Sequence, residues 1–84
     1  MPSADPIHVL LFARYAELVG RERLELPGEA LPTVRAVIER LRALPGAGAI
    51  PATPLVAVNL RQVGLDHPLS PGDEVAVLPP LAGG

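Results

Sequence analysis

Only one stretch of this chain repeats its apolar residues at helical spacing for more than two turns. Val34, Val37, Ile38, Leu41 and Leu44 fall on one stripe, with Thr33 placed to cap its start and Pro45-Gly46 to end it. The reverse side carries Arg35, Glu39, Arg40 and Arg42, the solvated face that such a stripe requires. Every other apolar run is short and strand-like. Whatever sheet those runs build, one long helix can cover only one of its faces.

From Ile7 to Ala13 the residues are almost continuously apolar, which predicts a central strand flanked by protein on both faces. Arg14 to Gly20 reads as one or two helical turns closed by a glycine cap. Arg21 to Leu26 alternates into an edge strand that stops at Pro27-Gly28. Pro45 to Pro54 holds three Pro and two Gly and is expected to be a loop. Leu55 to Leu60 predicts a third strand, Arg61 to Leu65 a turn leading into a short strand-like piece, and Glu74 to Leu78 the last strand after a dense set of turn formers from Asp66 to Asp73. Strand, strand, long helix and further strands is the order of a mixed α+β roll of the β-grasp kind, with residues 1–78 as the domain and 79–84 as an extended tail.

At 84 residues, with 49% apolar and 19% charged residues, the chain is one small globule, packed by aliphatic side chains because it has one Phe, one Tyr and no Trp. A net charge of -2 without a basic run speaks against nucleic-acid binding. Cysteine is absent, which removes disulfides, thiolate nucleophiles and sulfur-ligated metals. Two histidines, His8 and His67, are too few for a histidine-based metal site, so none is expected. All seven basic residues are Arg, so no side-chain amine is available for a Schiff base or an isopeptide bond to the chain itself. Met1 to Pro6 has neither the basic start nor the following apolar stretch of a signal peptide, the apolar runs are too short to span a bilayer, and a cytoplasmic protein with no membrane partner is expected.

Strand alternation adds a second constraint. If Val9 and Leu11 face the helix, Leu10 and Phe12 face away; if Val75 and Val77 point inward, Ala76 and Leu78 point out. Both faces of the sheet are therefore apolar, and the outer one is to be covered either by the Pro45–Pro54 loop or by another protein.

No Ser/His/Asp or paired-carboxylate arrangement offers catalysis. Asp73 and Glu74 are adjacent and would face opposite ways in a strand; His67 belongs to an Asp-initiated turn; His8 is a polar tip on the first strand; Gly46-Ala47-Gly48 lacks the Lys and helix of a phosphate loop. What remains is the end, Pro79-Pro80-Leu81-Ala82-Gly83-Gly84. The prolines favour an extended exit of at most about 20 Å. Two glycines without β-carbons can pass through a narrow channel and present the Gly84 carboxylate as the reactive group. Such a carboxylate reacts at neutral pH only after conversion to an acyl derivative such as an adenylate.

Val9-Leu10-Leu11-Phe12-Ala13-Arg14-Tyr15-Ala16-Glu17-Leu18-Val19-Gly20 and Ala57-Val58-Asn59 resemble the MoaD-type small subunits of molybdopterin synthase, which are ubiquitin-like β-grasp sulfur carriers. So do Asp66-His67-Pro68-Leu69, Gly72-Asp73-Glu74-Val75-Ala76 and the Pro79 to Gly84 tail. The resemblance implies that Gly84 is adenylated by an ATP-using activating enzyme of the MoeB type and converted to a thiocarboxylate. The small subunit itself binds no cofactor. The tail (Pro79, Pro80, Leu81, Ala82, Gly83, Gly84) then enters a MoaE-type large subunit, which holds the catalytic side chains and receives the sulfur for cyclic pyranopterin monophosphate. Leu10, Phe12, Ala76 and Leu78 are the expected docking face; the family often has Phe where this chain has Leu78. A carrier for thiamine or cysteine synthesis, and a ubiquitin-like modifier, use the same terminus and stand as alternatives.

Overall fold

The computed structural model describes residues 5–28 and 31–80. Five strands form one sheet in the order β2-β1-β5-β3-β4, where β1 is Ile7–Leu11, β2 Arg23–Leu26, β3 Leu55–Val58, β4 Arg61–Val63 and β5 Glu74–Leu78. The central pair, β1 and β5, runs parallel with Val9 opposite Val75; every other pairing is antiparallel. Two helices, α1 (Arg14–Val19) and α2 (Val34–Arg42), complete the β-grasp roll expected from the sequence.

The core lies between the inner sheet face and the helices. Ile7, Val9 and Leu11 of β1, Val75 and Val77 of β5, and Val56 and Val58 of β3 meet Val34, Val37, Ile38 and Leu41 of α2. Each strand contributes alternate residues and the helix contributes its stripe, so the two periodicities converge on one interior. Thr33 caps α2 as expected, its hydroxyl accepting from the Ala36 N–H at 3.3 Å. The next free N–H groups of that end, on Val34 and Arg35, donate to the carbonyls of His67 and Leu65. The Asp66–Leu69 turn therefore closes the helix start.

Several boundaries move from their expected places. The first strand stops at Leu11 and Ala13 turns the chain with φ 51°, ψ -124°, a conformation that only glycine adopts freely. Helix α2 ends at Arg42, before Leu44, although Leu44 still packs against the core. The Pro45–Pro54 loop contains a single 3-10 turn, Ala47–Ala49, and drives Ala47 and Ile50 into full burial. Gly46 enters that turn at φ +83°, and a β-carbon there would collide with the Leu18 carbonyl of α1. The third strand ends at Val58, and Asn59-Leu60, both at positive φ, make a two-residue hairpin into β4 at Arg61. Arg61 thus begins a strand where the sequence predicted a turn, because a Leu stands at the position where this turn usually has Gly.

Candidate functional site

Two structures meet at one end of the sheet: the outward face and the exit of β5 toward the tail. On the outward face the register brings Leu10, Ala76 and Ala57 into one row across β1, β5 and β3, and sets Leu55 opposite Leu78. Leu10, Ala76 and Leu78 are half-buried and Phe12 is 43% exposed, so the four expected residues do lie on one surface. Leu55 and Ala57 extend it. Sequence reasoning missed these two, although the alternation Leu55-Val56-Ala57-Val58 against the buried Val56 and Val58 was the signal that marked them.

The loop does not cover this surface. Ala47 and Ile50 are buried beside α1 and α2, on the helix side of the sheet, and the Arg42 Nε donates to the Ile50 carbonyl at 2.7 Å to hold the loop there. Among the described residues, the outward apolar face has no cover.

The strand that leads to the tail is fixed at its start by a polar knot. Asn59 donates its side-chain amide to Asp73 Oδ1 at 3.0 Å, its Oδ1 accepts from the Glu74 N–H at 3.0 Å, and its own N–H donates to the Glu74 carbonyl at 2.8 Å. Asp73 Oδ2 accepts from the Ser70 N–H at 2.8 Å. The Ser70 N–H first, the Asn59 amide next and the nearby His67 least hold the Asp73 carboxyl below the usual aspartate range, against a small opposing effect of burial. Asp73 is a structural acceptor, a role not read from the sequence. His8 stands outward on β1 with Nδ1 3.4 Å from Glu25 Oε2. No group of three or more metal-ligating side chains occurs among the described residues.

At the far end of β5, Pro79 is half-buried and Pro80 exposed, and the backbone there belongs to no strand or helix. Leu81, Ala82, Gly83 and Gly84, named above as tail residues, lie outside the described residues. No described helix is long and apolar enough to cross a membrane.

Beside Phe12, at the end of the sheet where β1 turns into α1, the surface opens into a cleft of about 560 Å³ lined by Leu10, Leu11, Phe12, Ala13 and Ala16, with Glu17, Glu22 and Arg23 at its rim. The turn at Ala13 shapes it: the Tyr15 N–H bonds back to the Phe12 carbonyl at 3.1 Å, and Phe12 stays turned out of the core.

Comparison with known proteins places these features in context. The chain is 42% identical over 81 residues to the molybdopterin synthase sulfur carrier subunit of Escherichia coli strain K12, covering 93% of this chain and 99% of that protein. It is 33% identical, with the same coverage, to the protein of that name from Haemophilus influenzae. Its fold matches a chain in the complex of subunits 1 and 2 of a Helicobacter pylori molybdopterin-converting factor, with a TM-score of 0.69 at 21% identity over 94% of this chain and 99% of that one. The model of the ThiS family matches residues 9–84. On that match, and on its identity to the two sulfur carrier subunits, the chain belongs to the ThiS family.

Proposed function

We propose that this chain is the sulfur-carrier small subunit of a molybdopterin synthase. The observation that carries the reading is its 42% identity, over 93% of its length, with a sulfur carrier subunit of that enzyme. Two features of the fold support it: β5 leads directly into Pro79-Pro80, and an uncovered apolar face lies beside that exit.

In this reading the Gly84 carboxylate attacks the α-phosphorus of ATP on a separate activating enzyme, releasing pyrophosphate and leaving an acyl adenylate. A donor of sulfide-level sulfur displaces AMP to give the thiocarboxylate. The tail from Pro79 to Gly84 then enters a large subunit, as the paired subunits of the Helicobacter pylori protein suggest. There the terminal sulfur attacks an oxygen-bearing carbon of the pterin precursor, the C–O bond breaking as the C–S bond forms, and water then cleaves the acyl–sulfur bond to restore the carboxylate. Two such transfers build a dithiolene. The chain supplies sulfur and a docking face, Leu10, Phe12, Ala76 and Leu78 with Leu55 and Ala57 added, while the catalytic side chains belong to the partner. Glycine at both final positions lets the tail take the backbone angles that a narrow active site imposes.

Co-expression with an activating enzyme, followed by intact-mass measurement, tests the reading. A species heavier by the difference between sulfur and oxygen is expected, and it should convert the pterin precursor when the large subunit is added. Failure to form it overturns the carrier role. A loaded chain that serves only thiazole or cysteine formation, or that appears as conjugates on cellular lysines, assigns it to one of the other carrier pathways.

A further inference from the structure

The outward face is not uniformly apolar, and its charges are distributed unevenly. Along β1 the cleft at Phe12 adjoins a second hollow around His8 through their shared Leu10 and Arg23, together a groove of about 13 Å, four intervals at about 3.3 Å each. Its floor is Phe12 and Leu10. Carboxylates stand at both ends: Glu17 and Glu22 rim the cleft, while Glu25 and Glu74 flank His8 from β2 and β5. Against these four acids the groove sets one cation, Arg23, opposite Leu10 in the register. The chain as a whole is close to balanced, with nine acidic and seven basic residues, so a groove with four carboxylates to one arginine concentrates negative charge along β1 and the end of the sheet where α1 begins. Toward the β3 and β4 side the outward surface is Leu55, Ala57 and Gln62, without charge.

We infer that this groove is the specificity-bearing part of the docking face and takes a protein segment that presents an apolar side chain over Leu10 and Phe12 between basic residues, arginine or lysine, that meet the carboxylates at the two ends. The inference rests on the proposed reading, in that the segment belongs to the large subunit into which the tail is inserted. The physical case has two parts. An exposed aromatic ring beside an open apolar cleft offers an anchor position whose value depends on excluding water. Carboxylates at its rim act mainly on encounter rate and on the choice of partner, because rim charges remain solvated. Among the described residues Glu17, Glu22 and Arg23 form no ion pair within the chain, and Glu25 pairs only with His8, so these exposed groups are available to a partner. The tail leaves β5 alongside Phe12, since β1 and β5 are parallel and Leu11 stands opposite Val77. A segment seated in the groove would thus fix the direction in which the arm is delivered.

The test is the kinetics of binding of the full-length chain to a purified large subunit of molybdopterin synthase at several salt concentrations. Neutralising the rim with E17Q, E22Q and E25Q, all at exposed positions, should lower the association rate about tenfold or more at low ionic strength and flatten its salt dependence. Glu39→Gln, on the exposed side of α2, should change neither. Should the triple variant lose its cooperative unfolding transition, E22R alone carries the test with the same expectation. An unchanged rate and salt slope in the rim variant, or an equal effect from Glu39→Gln, overturns the groove assignment. If Leu78→Asp abolishes binding while the rim variants bind normally, the docking face stands and only this inference falls. Absence of binding by the unsubstituted chain overturns the proposed function and the groove with it.

Discussion

Asp73 commits both carboxylate oxygens to its own chain, one to the Ser70 N–H and one to the Asn59 amide, and those bonds keep its pKa lowered. A lowered folded-state value means that the ionised form is favoured by folding. Its contribution to stability is therefore complete above the ordinary aspartate value of about 3.9 and drains away as pH falls through the lowered one. Asp73→Ala should cost on the order of 1 kcal/mol at neutral pH, the usual net worth of such hydrogen bonds. The difference from the parent chain should shrink toward zero in strong acid. Urea unfolding followed between neutral pH and strong acid checks both the size and the sign. Asp73, which the sequence already excludes from a shared acid/base pair, is at this scale the fastening of the last strand.

The β3–β4 hairpin shows where sequence reasoning loses an element. Asn59 is a favourable residue for its turn and is held there by three hydrogen bonds to Asp73 and Glu74. Leu60, at φ +72° and 92% exposed, is neither a favourable turn residue nor a buried one. Tertiary bonds from β5 override the local preference of Leu60, and no local pattern announces that. Leu60→Gly should stabilise the fold by about 0.5–1 kcal/mol, relief of the left-handed strain exceeding the added freedom of the unfolded chain. A rise in the urea midpoint at unchanged slope would show it; a fall would mean that Leu60 makes contacts worth more than its strain. By contrast β1, α2 and β5 were legible because their apolar residues follow a single period and all face one core. The outward face was legible in β1 and β5 for the same reason. Its extension to Leu55 and Ala57 was not, because the third strand was read as a run and not as an alternation, and the acidic groove depends on register, which pairs Leu10 with Arg23 and His8 with Glu25.

In the whole molecule, the helices and the Pro45–Pro54 loop gather on one side of the sheet and leave the other side bare, next to the strand that ends in the tail. Packing and delivery are thereby kept apart. Removing Gly84 should leave the thermal transition unchanged, since no described core residue lies beyond Val77, while abolishing sulfur transfer to the pterin; truncated protein that still supports product formation would refute the carrier role. Leu78→Asp should lower affinity for the large subunit at least tenfold through a buried, unpaired charge and leave adenylation chemistry at Gly84 intact, provided the activating enzyme grips elsewhere. Isothermal titration of the two variants separates loss of chemistry from loss of docking.

The strand that carries the arm lies in the middle of the sheet, bonded along its length to β1 on one side and β3 on the other. A tug on the terminus by an enzyme drawing it into a channel acts along those two ladders in shear. Many backbone bonds must then yield together before any one of them can open. In the proposed carrier role the arm is pulled and released through repeated rounds of loading without peeling its own domain apart.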